Sequence, residues 1–525
     1  MFKNHPKGLL PAALANMGER FGFYVMMALL TLFLQTKFGL DDTGAGLIYS
    51  SFYFFIYALA LVGGIIADKT KNFKGTILAG LITMGLGYVL LSIPTETPVP
   101  DNKYYLMLGL SCFALLVIAF GNGLFKGNLQ ALVGQMYDDK RYTAHRDAGF
   151  NIFYMFINIG AIFAPAMATG IRNWWVLKHN FTYESSLPDL CHSFLRGDIT
   201  ADGTIRLQEF SQQMNYSGSI EQFVNEYLNV FTTGFHYAFS VAIVAMAISL
   251  VVYLFNKNGF PDPAKKAAAV ANGDAPKIPD MPLQEVRQRV FALLAVFAVV
   301  IFFWFSFHQN GLTLTFFAKD YTDLSSLNFN LGFTTLKGAE LFQSINPFFV
   351  VFLTPVVMAV FAWLRSKGKE PSTAKKIAIG MGIAASAYVV MSIGSMGLPM
   401  KSEVIAMGGL TDAQRVTPFL LVGTYAILTT AELFISPLGI SFVSKVAPPQ
   451  YQGIMQGLWL LATGLGNQLL FIGAIFYNKI PLSYTWLIFV GACIISMCIM
   501  LFMLKWLERV SGETKEERLK AAKRA

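Results

Sequence analysis

Long apolar stretches recur along this chain at a length that only a bilayer-spanning helix needs. About twelve can be marked out, at 9–36, 44–67, 75–95, 104–135, 148–171, 234–256, 288–318, 338–364, 374–396, 416–445, 453–478 and 483–507. A helix rises about 1.5 Å per residue, so roughly twenty residues cross the hydrocarbon core of a membrane. The runs are continuous rather than alternating, which excludes the strands of a membrane barrel. The fold class is therefore an all-α membrane protein embedded in a lipid bilayer. Composition agrees, because 14% of residues are charged against about a quarter in a soluble domain.

Basic residues gather in alternate connections, such as Lys69, Lys71 and Lys74, then Lys140, Arg141 and Arg146, then Arg365, Lys367 and Lys369. By the positive-inside rule both termini are expected on the cytoplasmic side of a plasma membrane, of the bacterial inner-membrane type. The net charge of +9 resides in these short loops, so no nucleic-acid partner is expected. Glu19 and Arg20 interrupt any signal-peptide core, so the first run reads as a retained span. Four cysteines, three of them in apolar runs, give no disulfide framework.

A Pro/Ala/Lys-rich linker at 257–287 divides the spans into six plus six. Basic loops after the second and eighth spans echo one another, as expected of a repeat-built transporter with its site between the halves. The domains read as an N-terminal bundle over 1–171 completed by a sixth span at 234–256, an extracytoplasmic insertion at 172–233, a C-terminal bundle at 288–507, and a charged cytoplasmic tail at 508–525. Within the insertion, Asp198, Thr200, Asp202, Thr204 and Glu209 stand at EF-hand ligand positions around Gly203. That spacing predicts a calcium loop over 198–209. A solvated helical hairpin without metal is the alternative. No other cofactor is required.

Charges inside the apolar runs are the candidate functional residues. Each costs roughly 2.5–3.5 kcal/mol at a bilayer centre, so it must face a partner or a wet cavity. Helical spacing puts Asn16, Arg20, Phe23 or Tyr24, and Met27 on one stripe. Lys126 is a lone cation in the first half, and Glu432 is a lone anion in the second. An extended dipeptide spans about 7 Å, so a cation and an anion on facing bundles suit a zwitterion. Lys126 as a structural partner of Glu19 remains the alternative.

Several stretches stand in order: Asn16-Met-Gly-Glu-Arg-Phe-Gly-Phe-Tyr24, Gly63-Gly-Ile-Ile-Ala-Asp68, Gly121-Asn-Gly-Leu-Phe-Lys-Gly-Asn128, Phe153-Tyr-Met-Phe-Ile-Asn-Ile-Gly160, Gln343-Ser-Ile-Asn-Pro347 and Glu432-Leu-Phe-Ile-Ser-Pro437. This set resembles the proton-dependent oligopeptide transporter family of the major facilitator superfamily, over nearly the whole chain except the insertion. The resemblance implies two six-helix bundles and import of di- or tripeptides with protons. It implies that Arg20, Lys126, Asn158, Asn346 and Glu432 hold the peptide's ends and backbone, and that Tyr24, Tyr57, Tyr154 and Trp459 line side-chain pockets. Glu19, Arg20 and Lys126 would form a proton-coupling cluster, with Asp68 a loop lock and a monomer sufficient for transport.

Asn16, Met27 and His308 depart from the family pattern, two of them where it has carboxylates. Coupling is therefore expected to be weak, or carried by His308 and Glu19 together. An uncoupled carrier, one for amino-acid derivatives or cell-wall peptides, and a peptide-sensing receptor are the alternatives. An enzyme is not expected, since no nucleophile or metal constellation lies within the spans.

Overall fold

The computed structural model describes residues 5–514 apart from 71, 138–140, 143–144, 262–280 and 449–450, and leaves out the side chains of 146–148, 326, 452 and 453. Among the described residues, twelve helices are long and apolar enough to cross a membrane. The first six are Leu9–Phe38, Asp42–Thr70, Phe73–Ser92, Asp101–Met136, Gly149–Lys178 and Ile220–Gly259. The second six are Leu283–Tyr321, Ala339–Ser366, Thr373–Gly394, Phe419–Val446, Ile454–Lys479 and Leu482–Ser511. They are called spans 1 to 12 below. Most of the expected linker, and the tail beyond Thr514, lie outside the described residues.

Within the first half, span 1 packs on spans 5 and 6, and span 4 packs on spans 2 and 3. Gly63 of span 2 faces the Gly123 backbone so closely that a Cβ there has no room, and Gly80 does the same against Gly121. Small residues let these backbones approach where lipid offers no hydrophobic drive for association. The second half repeats the scheme through spans 7, 11 and 12 and through spans 8, 9 and 10. Across the seam, span 2 meets span 11 and span 5 meets span 8. Offsetting the numbers by six exchanges these pairs, as a two-fold relation between the halves requires.

Polar contacts cross this seam at the end that carries the insertion. Arg172 at the end of span 5 and Glu340 at the start of span 8 are both fully buried, with Nη1 to Oε1 at 2.6 Å. Thr169 donates to the same carboxylate at 2.8 Å, and the guanidinium lies over the Tyr183 ring at 4.5 Å. Nearby, Lys401 of the second half pairs with Asp320 at 2.5 Å and approaches Asp42 of span 2 at 3.9 Å. Lys319 donates to Gln35 of span 1 at 3.1 Å.

The insertion differs from its expected bounds. Span 5 continues to Lys178 and the helix of span 6 starts at Ile220, so both extend well past 171 and 234. Their extra turns are held by aromatic packing, with Phe181, Phe223 and Tyr227 in mutual ring contact. A Ser219–Gln222 capping box starts the second of these helices. Between them lies a hairpin of two short helices, Leu187–Arg196 and Ala201–Gln213.

Removing one partner of a buried ion pair leaves a stranded charge, at a cost of about 3–5 kcal/mol. Glu340→Gln is accordingly expected to lower the melting temperature of the purified protein sharply. The paired replacement Arg172→Met with Glu340→Leu is expected to recover most of the loss, as read by thermal unfolding in detergent.

Candidate functional site

The two halves enclose a cavity of about 290 Å³ midway along the spans. Two breaks in helical structure border it, and a third lies behind the first. Span 7 stops at Phe307, passes through a 3₁₀ turn at His308–Gly311 and resumes at Thr313. Span 10 breaks between Leu433 and Ser436, where Pro437 supplies no N–H and starts the next helix. Span 11 breaks at Leu469. Freed backbone groups must find partners inside a membrane protein. The Asn310 carbonyl accepts from Tyr425 at 2.6 Å, and Gln309 donates to the Leu470 carbonyl at 3.2 Å.

Nine residues expected to bind substrate line the cavity: Arg20, Tyr24, Tyr57, Lys126, Tyr154, Asn158, Asn346, Glu432 and Trp459. Glu19 does not. Fully buried behind the cavity wall, it accepts both Nε and Nη2 of Arg20 at 2.5 Å and Nδ2 of Asn122 at 2.7 Å. The expected grouping of Glu19 between Arg20 and Lys126 is therefore corrected to a Glu19–Arg20–Asn122 unit. The long Arg20 side chain curls back onto its own neighbour, so the two charges compensate each other within span 1 and neither pairs with Lys126. Asn16 is buried beside this unit rather than in the cavity, while Met27 lines it.

Lys126 makes no ion pair among the described residues. Its ammonium lies 4.9 Å from the centre of the Tyr57 ring, a cation–π contact. Glu432, on the opposite half, accepts from Asn346 Nδ2 at 2.9 Å, and Asn346 also donates to Thr429 at 3.0 Å. The cavity thus carries one free cation and one held anion on facing halves. His308 enters from the break in span 7. Its ring stacks on Trp304 at 4.9 Å and meets Tyr53 of the other half at the same distance, and its buried Nδ1 has no partner.

Sequence reasoning missed Tyr49 and Tyr53, which line the cavity with Tyr57. Their spacing of four on span 2 was the available signal, since it puts all three on one face. Asp68 is exposed at the far end of span 2, away from the cavity, where a loop role would place it.

The calcium reading of 198–209 does not fit. Residues from Ala201 onward are helical, so Asp202 and Thr204 sit in a first turn rather than an open loop. Thr200 caps that helix by accepting from Gly203 N at 3.0 Å. Asp198 pairs with Arg196 and Glu209 with Arg206. No group of three His, Cys, Asp or Glu suited to a metal exists among the described residues.

A family model described as the POT family matches residues 74–273 and 267–487. The chain belongs to that family. The transporter is 27% identical over 481 residues to the peptide transporter YePEPT of Yersinia enterocolitica subsp. palearctica, covering 89% of this chain and 87% of that one. It is 26% identical over 497 residues to a di-/tripeptide transporter of Lactococcus lactis subsp. cremoris, covering 88% and 87%. Among solved structures, a peptide transporter POT in complex with sulfate superposes with a TM-score of 0.69 at 23% identity, covering 97% of this chain and 96% of that one. A POT family transporter in complex with 5-aminolevulinic acid gives 0.68 at 22%, covering 97% and 98%. These structures share the major facilitator fold, and the relatives are membrane transporters rather than enzymes.

Millimolar calcium is expected to leave the melting temperature of the transporter unchanged. Glu209→Gln, which loses only a partly exposed pair, should cost less than about 1 kcal/mol. A calcium-dependent rise abolished by Glu209→Gln would reinstate the metal site.

Proposed function

We propose that this transporter imports di- or tripeptides by alternating access, with protons taken up alongside. The observation that carries the reading is the pairing, in one cavity, of an unpaired Lys126 on the first half with Glu432 on the second. A zwitterionic peptide offers each its complement. Its carboxylate meets Lys126 and the Arg20 Nη1 that Glu19 does not engage, and its amino group meets Glu432 and Asn346. The backbone amide lies within reach of Asn158, and side chains are taken up by Tyr24, Tyr57, Tyr154 and Trp459. Lysine and arginine in the connections favour a bacterial-type inner membrane with both termini cytoplasmic and the insertion outside. A monomer suffices for this scheme.

Coupling falls to two groups. Glu19 is neutralised by Arg20, and it becomes a proton acceptor when a peptide carboxylate draws the guanidinium away. His308 faces the cavity with a ring nitrogen that has no partner and is free to take a proton when water or substrate reaches it. The enclosure of Glu19 behind Arg20, with a non-titrating Asn16 beside it, favours one second reading, an uncoupled carrier for peptides or amino-acid derivatives.

Labelled di- and tripeptide uptake into proteoliposomes tests the substrate. Lys126→Ala and Glu432→Ala are each expected to weaken peptide binding about thirtyfold or more while the protein stays folded. Unchanged affinity in both would remove the site.

Peptide-driven proton flux tests the coupling. It is expected in wild type and reduced in both His308→Gln and Glu19→Gln. Robust flux in both variants would reject these two acceptors, and peptide exchange without any flux in wild type would establish the uncoupled carrier.

A further inference from the structure

The helical hairpin between spans 5 and 6 is rooted in one half of the transporter and docked on the other. Its root is apolar and buried. Leu187, Leu190, Cys191, Leu207 and Phe210 pack into the core continuous with spans 5 and 6. His192 Nε2 meets the Thr36 carbonyl of span 1 at 2.7 Å. The hairpin must therefore travel with the first half.

Its contacts with the second half are of another kind. Asp189 accepts from Lys319 at 3.0 Å. Thr200 Oγ1 donates to the Ala406 carbonyl at 2.7 Å while capping its own helix. Just before the hairpin, Ser185 Oγ accepts from Arg415 at 3.1 Å, and Glu184 stands 3.6 Å from Lys337. The loop after Ala406 fits the hairpin closely, because a Cβ on Gly408 would lie 3.0 Å from Gly203 Cα. Both Gly408 and Gly409 adopt left-handed φ there, which glycine alone takes without strain. Burial alone would raise the Asp189 carboxyl, but Lys319, with Lys401 behind it, outweighs that and holds it below the usual carboxylate range. The contact with Lys319 is thus an ion pair at neutral pH.

An interface made of a few polar contacts at a partly exposed rim separates far more readily than a buried apolar one. Lys319 is also shared, since it bonds Gln35 of span 1 across the seam. We propose that the hairpin is a strap that holds the insertion end of the cavity shut. It must leave Lys319 and the Ala406–Gly409 loop before that end can open. This rests on the alternating-access reading above and assigns its regulation to a segment outside the spans. Strap and seam act through the same lysine, so loosening one loosens the other.

The test uses the full-length transporter in proteoliposomes, with Cys112, Cys191, Cys493 and Cys498 replaced. Thr200→Cys with Ala406→Cys is expected to form a disulfide on mild oxidation, and uptake should stop until reductant is added. Failure to cross-link, or uptake at the reduced rate after cross-linking, would overturn the strap. Independently, Ser51→Cys sits in the seam opposite Gln468, where a membrane-impermeant maleimide reaches it from the insertion side only when that end opens. Asp189→Asn should speed this labelling about fivefold, the effect of losing one partly exposed ion pair. An unchanged rate would also overturn the proposal. Labelling requires no solute, so a failure of peptide uptake with a normal labelling response would reject the peptide reading and leave the strap standing.

Discussion

A charge within a bilayer-spanning helix must find its partner inside the protein, and the Glu19–Arg20 fork is the contact on which the rest of this site depends. Two adjacent residues of span 1 satisfy each other, with Asn122 of span 4 holding the carboxylate from behind. That closure decides the charge of the cavity. With Arg20 compensated, Lys126 is left as the free cation among the described cavity-lining residues, and Glu432 faces it from a helix of the other half. A cavity built this way is nearly neutral overall but strongly polarised from one half to the other. Such a field matches the charge separation of the zwitterion proposed as its substrate.

The same requirement governs the backbone. Spans 7 and 10 break beside the cavity and span 11 breaks behind span 7, and each break frees groups that lipid cannot satisfy. Tyr425 and Gln309 supply the partners for two of these breaks. The broken turn at His308–Gly311 is also what brings an imidazole to the cavity wall, between Trp304 of its own helix and Tyr53 of the other half. One ring therefore touches both halves, so relative motion of the halves changes its surroundings.

The spans were legible because the bilayer imposes them: length and continuity of apolar residues suffice, whatever the packing. Lys126 and Glu432 were legible for the same reason, as charges that cost too much to be idle. What failed was local chemistry with two uses. Thr200 and Asp202 carry oxygens at the spacing of a calcium loop, but Thr at an N-cap and Asp in a first turn also start helices. Helix formation won, since Leu207 and Phe210 then bury against the hairpin's own core. Arg172 and Glu340 escaped notice because their partners lie in the other half of the sequence. Neither looks unusual at the polar end of a span, and only the folded seam reveals them as a fully buried pair.

Closure at the insertion end is built from layers of different strength. The Arg172–Glu340 pair is fully buried and hydrogen-bonded further by Thr169, whereas Lys319 to Asp189 and Lys401 to Asp42 are longer contacts, at 3.0 and 3.9 Å, made by lysines that share partners. Opening that end strands Glu340 unless water or another cation reaches it, which sets a high cost on a partial opening. Shared lysines lower the cost of the first step, because Lys319 can release Asp189 while retaining Gln35 and Asp320. On the strap proposal, separation would run from the rim inward, strap first and buried pair last. The order follows from desolvation alone, since each layer broken admits the water that the next layer needs in order to part.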